Sequence, residues 1–326
     1  MLSGLPVSLA TGLLPLLCNP GGEARLSTLI YHRVVPERDP MRPGEPTAAE
    51  FDWQMRLLRE HFHPLSLEEA AGRLADRTLP RRAVCVTFDD GYADNEQIAL
   101  PVLKRYAIPA TVFVSTGYLN GGRMWNDAVI ESLRNWDTEH AALDDLGLAR
   151  YSLGSLDARR EAAEDVLRQI KHRDPVERQG IVDAIAARSS GLPGSLMMTD
   201  AQVRNLAESG VSIGAHTVTH PILASVSPEI AREEIQHSKT YLEALLQRDV
   251  AAFAYPNGLP QRDYGAEHRA MVEESGFSVA VSTHWGVGVP GSDRLQLPRF
   301  TPWDREPLRF AVRLLLNQRK IDPLLA

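Results

Sequence analysis

Short apolar segments rich in β-branched and aromatic residues recur along the chain, separated by longer stretches of mixed polarity. They are residues 29–31, 84–88, 110–114, 211–214, 251–255 and 278–281. Runs of this length without polar alternation predict strands that are buried on both faces of a parallel sheet. Helix starts lie between them: Thr47 and Glu50 form a capping-box pattern, and Ser227 precedes Pro228. The alternation of strands and helices indicates a parallel α/β fold.

The composition is that of an ordinary globular protein and excludes some functions. The chain has 326 residues, of which 44% are hydrophobic, and a formal net charge of −7. Because there is no basic field, we expect no nucleic-acid partner. Cys85 lies in the middle of an apolar run and predicts a buried free thiol, and with Cys18 as the only other cysteine there is no disulfide framework.

Residues 119–199 interrupt the strand–helix rhythm, because a βαβ connection needs far fewer residues. We interpret them as a mostly helical insertion without a strand set of its own. The insertion would belong to one domain covering residues 1–326, with a core at about 26–301. Trp125, Asn126 and Asp127 at its start either reach the functional site or only seat the insertion on the body of the domain.

Both ends of the chain contain apolar residues that bear on where the protein is located. Residues 2–17 are apolar, but no basic residue precedes Arg25, no small-x-small cleavage site follows, and Pro6 and Pro15 interrupt the run. The run is also shorter than the roughly 20 residues of a membrane span. We therefore expect a cytoplasmic location, with a periplasmic or membrane-peripheral one as the alternative.

The tail at residues 305–320 combines basic residues with apolar ones. It predicts a C-terminal helix that packs its apolar side on the domain. Contact with an anionic membrane is the alternative interpretation.

Polar residues of catalytic type follow four of the predicted strands. His32 follows the first, Asp89 and Asp90 follow the second, His216 follows the fourth, and Tyr255-Pro256-Asn257-Gly258 ends the fifth. In a parallel barrel the carboxyl ends of the strands meet on one face, where active sites are built. We therefore expect these groups to form one site.

Two imidazoles and one carboxylate are a common ligand set for catalytic zinc, with a position left open for water. His216 and His220 are four residues apart, which suits a helix, although Pro221 makes a turn equally acceptable. One of two adjacent carboxylates would bind the metal and the other would act as a base. If the two motifs were unrelated, Asp-Asp-Gly would be only a turn and the histidines only a helix cap. Their joint position at strand ends favours a metal site.

The segment Thr87-Phe88-Asp89-Asp90-Gly91, together with His-Thr-x-x-His at 216–220, resembles the polysaccharide deacetylases, also called the NodB-homology domain or carbohydrate esterase family 4. The resemblance covers about residues 26–301, apart from the insertion. It implies a distorted (β/α)7 barrel, similar to a TIM barrel, that hydrolyses N-acetyl groups of sugar polymers with a metal. It also implies that Asp89 is the general base and that Asp90, His216 and His220 bind the metal. Zinc is expected, and cobalt, nickel or iron also suit these ligands.

The third motif of the family differs here. The family has Arg-x-Pro followed by an aromatic residue, whereas this chain has Ala254-Tyr255-Pro256-Asn257 and lacks the arginine. This variant is similar to the branch of exopolysaccharide poly-N-acetylglucosamine deacetylases. That branch has an early Tyr-His pair, as at Tyr31-His32, whose histidine is the general acid. By this resemblance His32 protonates the leaving amine, and His284 is the rival candidate.

Two further residues complete the expected machinery. The backbone N–H of Asn257 can donate to the oxyanion, as the residue after this proline does in the family. Arg299, in Leu297-Pro298-Arg299-Phe300, is the candidate to replace the missing arginine, with a surface salt bridge as the alternative.

These observations predict a metal-dependent carbohydrate N-deacetylase that acts on amino sugars of a bacterial-type polysaccharide or its precursor. The expected partner is an N-acetylated glycan or glycan precursor. Two alternatives stay open. One is an amidase or deformylase of the same fold acting on a lipid-linked sugar or a small cyclic amide, and the other is a glycan-binding relative without catalysis.

Overall fold

The computed structural model describes residues 23–192, 194, 196–321 and 324–326. The apolar residues 2–17 and Cys18 lie outside the described residues, so what the sequence predicts for them stays a prediction.

Seven parallel strands form a nearly closed barrel, as the resemblance to the deacetylase family implied. The strands of the described chain are β1 (Ser27–Tyr31), β2 (His63–Pro64), β3 (Ala83–Phe88), β4 (Ala110–Val114), β5 (His140–Ala142), β6 (Arg150–Ser152), β7 (Ser212–Ala215), β8 (Ala252–Ala254), β9 (Val279–Trp285) and β10 (Leu297–Arg299). The barrel order is β1-β3-β4-β7-β8-β9-β10, and the short β2 pairs with β3. The N–H of Ile30 donates to the carbonyl of Phe300 at 3.0 Å, and the N–H of Phe300 donates to that of Thr28 at 2.8 Å. These bonds join the last strand to the first.

Helices connect the strands and cover the barrel. They are α1 (Ala48–His61), α2 (Leu67–Ala75), α3 (Leu100–Tyr106), α4 (Trp125–Arg134), α5 (Leu156–Ile170), α6 (Pro175–Ala186), α7 (Asp200–Glu208), α8 (Pro228–Leu246), α9 (Ala266–Glu274) and α10 (Pro307–Asn317). Both predicted helix starts are confirmed. Thr47 and Glu50 form a capping box at α1, and the Ser227 hydroxyl accepts the N–H of Ile230 at α8.

The strands are buried on both faces, which explains their uninterrupted apolar sequences. In β3, Val84 and Val86 pack with the helices, whereas Ala83 and Cys85 belong to a second cluster shared with residues of β8 and β9. Side chains of a strand alternate between its two faces, so each face of β3 meets a separate apolar cluster. Cys85 is buried and free, as predicted.

The insertion has a core of its own and one feature that the sequence analysis missed. Helices α4, α5 and α6 pack around a separate apolar cluster that includes Val129, Val166 and Ile185. Strands β5 and β6 form a short antiparallel hairpin between α4 and α5, so the expectation that this stretch has no strand set of its own was wrong. Each strand has three residues, too few to show a strand pattern in the sequence. The limits of the insertion stay a prediction.

The C-terminal helix α10 packs on the barrel through its apolar side. Phe310, Leu314 and Leu315 are buried, and the ring of Trp53 from α1 meets Phe310 edge-on at 5.6 Å between centroids. In the part of the chain that the structure describes, none of the helices combines the length and apolar character needed to cross a membrane.

Candidate active site

A strained turn directly after β3 presents the two adjacent carboxylates. The N–H of Asp89 still donates to the carbonyl of Tyr31 at 2.9 Å, which continues the barrel ladder by one residue. Asp90 then has a φ of +75° and Gly91 one of +92°. A positive φ is uncommon for a residue with a side chain and is concentrated at functional sites. The turn gives the two carboxylates different partners.

The histidine segment 216–220 is a turn and not a helix, which resolves the question that its spacing left open. Thr217 and His220 both have positive φ values, +63° and +54°. The segment after β4 pins this turn, since the N–H of Gly117 donates to the carbonyl of Val218 at 2.8 Å. A Cβ atom on Gly117 would lie only 2.8 Å from that same oxygen. The close approach therefore requires glycine at 117.

Glu234, on helix α8, holds the other side of the histidine turn. Its carboxylate accepts the backbone N–H groups of Val218 at 2.7 Å and Thr219 at 2.8 Å, and also the Thr219 hydroxyl at 2.6 Å. Sequence reasoning missed Glu234 because nothing local marks one acid of an acidic helix as a partner of a distant turn. Through these bonds Glu234 holds the backbone of the turn that leads to His220.

Asp90, His216 and His220 come together with the spacing of a metal-ligand set. Asp90 Oδ1 lies 3.6 Å from His216 Nε2 and 3.5 Å from His220 Nε2. Bonds of about 2.0–2.1 Å at tetrahedral angles separate two ligand atoms by roughly 3.3–3.4 Å. Asp90 Oδ1 is buried and has no hydrogen-bond partner. His216 Nδ1 lies 2.7 Å from the carbonyl of Ala254, which directs Nε2 towards Asp90. These residues fit a divalent metal.

The protonation states also suit a metal. Burial lowers the pKa of His216 to about 4 and that of His220 well below its usual value, so both rings are neutral and keep a lone pair at neutral pH. Burial raises the pKa of Asp90 to about 7, and the negative charge of Asp89 adds to the rise. A cation bound between them would favour the ionised form of Asp90.

Asp89 is held by Arg299 in a buried two-pronged ion pair. Both carboxylate oxygens accept from the guanidinium at 2.7 Å, and the two side chains are 4% and 0% exposed. Arg299 also donates to the carbonyl of Ser282 at 2.9 Å and to the hydroxyl of Thr87 at 3.2 Å. Burial alone would raise the pKa of Asp89, but Arg299 keeps it well below the usual range. The ion pair is not at the surface, so that alternative for Arg299 is excluded.

A cavity of about 450 Å³ opens over this cluster. It is lined by Ile30, His32, Asp89, Asp90, Met124, Trp125, Asn126, Leu167, Arg168, Lys171, His216, His220, Asn257, Thr283 and Thr301. Of the two candidate acids, His32 lines this cavity, whereas His284 lines a different one with Val287 and Gln296.

The surroundings of His32 favour its protonated form. Its backbone carbonyl accepts the side-chain N–H of Asn95 at 2.9 Å, which fixes the chain after β1. Burial alone would lower the pKa of His32, but the charges of Asp90 and Asp89 outweigh burial and raise it. An imidazole that holds its proton more firmly beside two carboxylates can act as an acid.

Asn257 lines the same cavity as Asp89 and His32. It has a φ of +58°, and its carbonyl accepts the Thr283 hydroxyl at 2.5 Å. Among the described residues, its N–H donates to no protein acceptor. This free donor in the cavity wall can serve an oxyanion.

The insertion also reaches the site. Trp125 and Asn126 line the cavity, and the guanidinium of Arg178 lies 4.6 Å from the centre of the Trp125 ring. Asp127 turns away and pairs with Arg42 in a buried contact. Trp125 therefore both contributes to the site and packs on its own unit. Lys171, which the sequence analysis did not single out, lines the same cavity.

The fold and the cluster define an α/β barrel with a candidate metal-ligand set and a second buried carboxylate, Asp89, at the carboxyl ends of its strands. The chain belongs to the polysaccharide deacetylase family, whose model matches residues 76–280. The matched residues include the Asp89–Asp90 turn and both histidines, whereas His32 and Arg299 lie outside them.

Individual relatives agree with this membership. YxkH of Bacillus subtilis, whose name places it among the polysaccharide deacetylases, is 23% identical over 266 residues, which are 81% of this chain and 66% of YxkH. The poly-β-1,6-N-acetyl-D-glucosamine N-deacetylase of Staphylococcus aureus is 35% identical over 72 residues, 22% of this chain and 25% of that enzyme. The match thus spans less than two thirds of either relative. The Streptococcus pyogenes deacetylase PplD, solved with acetate, has the same fold with a TM-score of 0.59 at 21% identity, over 90% of this chain and 99% of PplD.

Proposed function

We propose that this protein is a metal-dependent hydrolase that removes N-acetyl groups from amino sugars of a polysaccharide or its precursor. The observation that carries the proposal is the division between the two adjacent carboxylates. Asp90 has an unpartnered oxygen facing two neutral imidazoles, whereas Asp89 is kept ionised by Arg299. Asp90 is therefore the proposed metal ligand, and Asp89 is the proposed proton acceptor.

A divalent metal held by Asp90, His216 and His220 would supply Lewis acidity and lower the pKa of a bound water to about 7. Zinc is the first candidate for this mixed imidazole and carboxylate set, and cobalt, nickel and iron also suit it.

The residues of the chain then move the protons. Asp89 accepts a proton as water attacks the acetyl carbonyl carbon, and Arg299 holds its carboxylate in place. The N–H of Asn257 donates to the oxygen on which negative charge develops. His32 donates its proton to the amide nitrogen as the C–N bond breaks, so that acetate and the free amine leave. His32 lines the cavity and His284 does not, which favours His32 as the acid.

The substrate class rests on similarity and on the cavity. The staphylococcal relative is named for poly-β-1,6-N-acetylglucosamine, and the early Tyr31-His32 pair resembles that branch. The cavity lies within the volume range of about 300–1,000 Å³ usual for small ligands. A short stretch of N-acetylated glycan or a glycan precursor is therefore the proposed partner.

Acetate release from β-1,6-linked N-acetylglucosamine oligomers tests the proposal. We expect purified protein to release acetate, to stop after chelation, and to resume when zinc or cobalt is restored. Metal binding without acetate from any acetylated glycan would point to another C–N bond, such as a formamide. Absence of both would support the glycan-binding alternative.

A further inference from the structure

The insertion supplies one side of the active-site cavity with residues that the proposed reaction does not use. This side, the insertion wall, consists of Met124, Trp125 and Asn126 at the start of α4 and of Leu167, Arg168 and Lys171 around the end of α5. Leu167 and Lys171 are four residues apart, which places them on one helix face. The wall thus combines an aromatic ring, an amide and two cations.

Lys171 is the less engaged of the two cations in this wall. Its side chain is half-buried, and burial lowers its pKa. Within the described residues it has no ion pair. Asp263, the carboxylate whose charge acts on it, is already engaged by Arg262 at 3.0 Å and by the N–H of Leu259 at 3.0 Å. A half-buried ammonium in a cavity is more stable when an anion joins it there.

The rest of the wall is suited to neutral parts of a sugar. Asn126 lines the cavity beside Trp125, and its side-chain amide is of the type that exchanges hydrogen bonds with a hydroxyl or an amide. Arg178 stacks on the Trp125 ring and steadies it. Arg168 already pairs with Asp165, and its side chain is 72% exposed, which leaves Lys171 as the principal cation.

We propose that Lys171 binds an anionic group, a phosphate or a carboxylate, carried by the acetylated sugar or by the unit next to it. This inference rests on the proposed function and specifies its substrate. The neutral acetylated sugar would lie at Asp89 and His32, against Asn126 and Trp125, with its anionic neighbour at Lys171. The preferred substrate is then an acidic glycan or a phosphate-linked precursor and not a neutral homopolymer.

Binding of reaction products tests this directly, because they cannot turn over. The probes are a β-1,6-linked glucosamine disaccharide, the same disaccharide with a 1-phosphate, and a glucosamine–glucuronate disaccharide. Dissociation constants are measured by calorimetry on metal-loaded wild type and on Lys171→Gln, Lys171→Arg and Lys104→Gln. Lys104 is an exposed lysine of α3 that does not line the cavity, so its variant makes the same charge change elsewhere.

We expect wild type to bind at least one probe with an anionic group about tenfold more tightly than the glucosamine disaccharide that lacks one, as a charge-assisted contact would give. Lys171→Gln should abolish most of that preference, whereas Lys171→Arg and Lys104→Gln should keep it. A preference for the phosphate alone indicates a phosphate-linked precursor, and a preference for the glucuronate indicates an acidic glycan.

Equal binding by wild type of the probes with and without the anionic group would overturn the proposal. So would an anion preference that survives in Lys171→Gln, since the anion would then sit on the metal. Failure of the deacetylase proposal is seen separately, as absence of acetate from any acetylated probe. The binding comparison decides the role of Lys171 in either case.

Discussion

The buried pair between Asp89 and Arg299 gives a prediction whose size follows from the structure. Arg299→Gln removes two hydrogen bonds of 2.7 Å and leaves the Asp89 carboxylate buried without a counter-charge. Breaking one partner of a buried ion pair costs about 3–5 kcal/mol. A domain has roughly 5–15 kcal/mol of unfolding free energy in total. We therefore expect Arg299→Gln to lose a large part of the stability.

The assay is urea unfolding in the presence of a chelator, arranged as a double-mutant cycle with Asp89→Asn. The double variant should be more stable than Arg299→Gln alone, because no buried charge remains. The exposed pair between Arg188 and Asp145 is the matched control, since it is also two-pronged. Arg188→Gln should destabilise the fold far less than Arg299→Gln, because solvent screens an exposed pair.

The stability that Arg299→Gln loses should depend on pH. In wild type the folded pKa of Asp89 is depressed, so the ion pair stabilises the fold above the unfolded pKa of about 3.9 and this contribution is lost as pH falls. Without Arg299, burial raises the folded pKa above the unfolded value. The variant should then be most destabilised at neutral pH, and the difference should shrink towards pH 4. A loss below about 1 kcal/mol, or one that does not change with pH, would refute this reasoning.

Two further predictions concern the site. His32→Gln should remove the basic limb of the kcat/KM profile against pH, measured by acetate release. The reason is that the raised pKa of His32 sets the pH at which the proton donor is lost. An unchanged basic limb would exclude His32 as the acid. Glu234→Gln should weaken zinc binding roughly 10- to 100-fold in a competition titration, because the turn that carries His220 loses the hydrogen bonds that hold it. The control is Glu233→Gln, an exposed position on the same helix, which should not weaken zinc binding. Equal zinc affinities in the two variants would mean that the turn does not need Glu234.

Much of the barrel can be read from the sequence because its strands are buried on both faces. The six apolar segments each correspond to a strand. The seventh, β10, escaped because it has three residues and contains Pro298, which is atypical of a strand interior. Because Arg299 lies on β10, its pairing with Asp89 could be proposed from the sequence only by resemblance to the family.

Within the site, predictability depends on how local the signal is. Asp89, Asp90, His216 and His220 were predicted from motifs at strand ends, and the structure brings them together in one cavity. Glu234 and Lys171 were not recognised, because each acts through tertiary contacts: one anchors a turn on another element, and the other reaches the cavity from the insertion. The catalytic and metal-binding roles of the predicted residues stay predictions until they are measured.

Of the two adjacent carboxylates, Asp90 is proposed to bind the metal and Asp89 to accept the proton. Paired assays on the same preparations test this division most directly. Bound metal and acetate release would be measured for wild type, Asp89→Asn and Asp90→Asn. We predict that Asp89→Asn keeps its metal and loses turnover, whereas Asp90→Asn loses both. Loss of metal in Asp89→Asn with metal retained in Asp90→Asn would contradict the assignment and exchange the two roles.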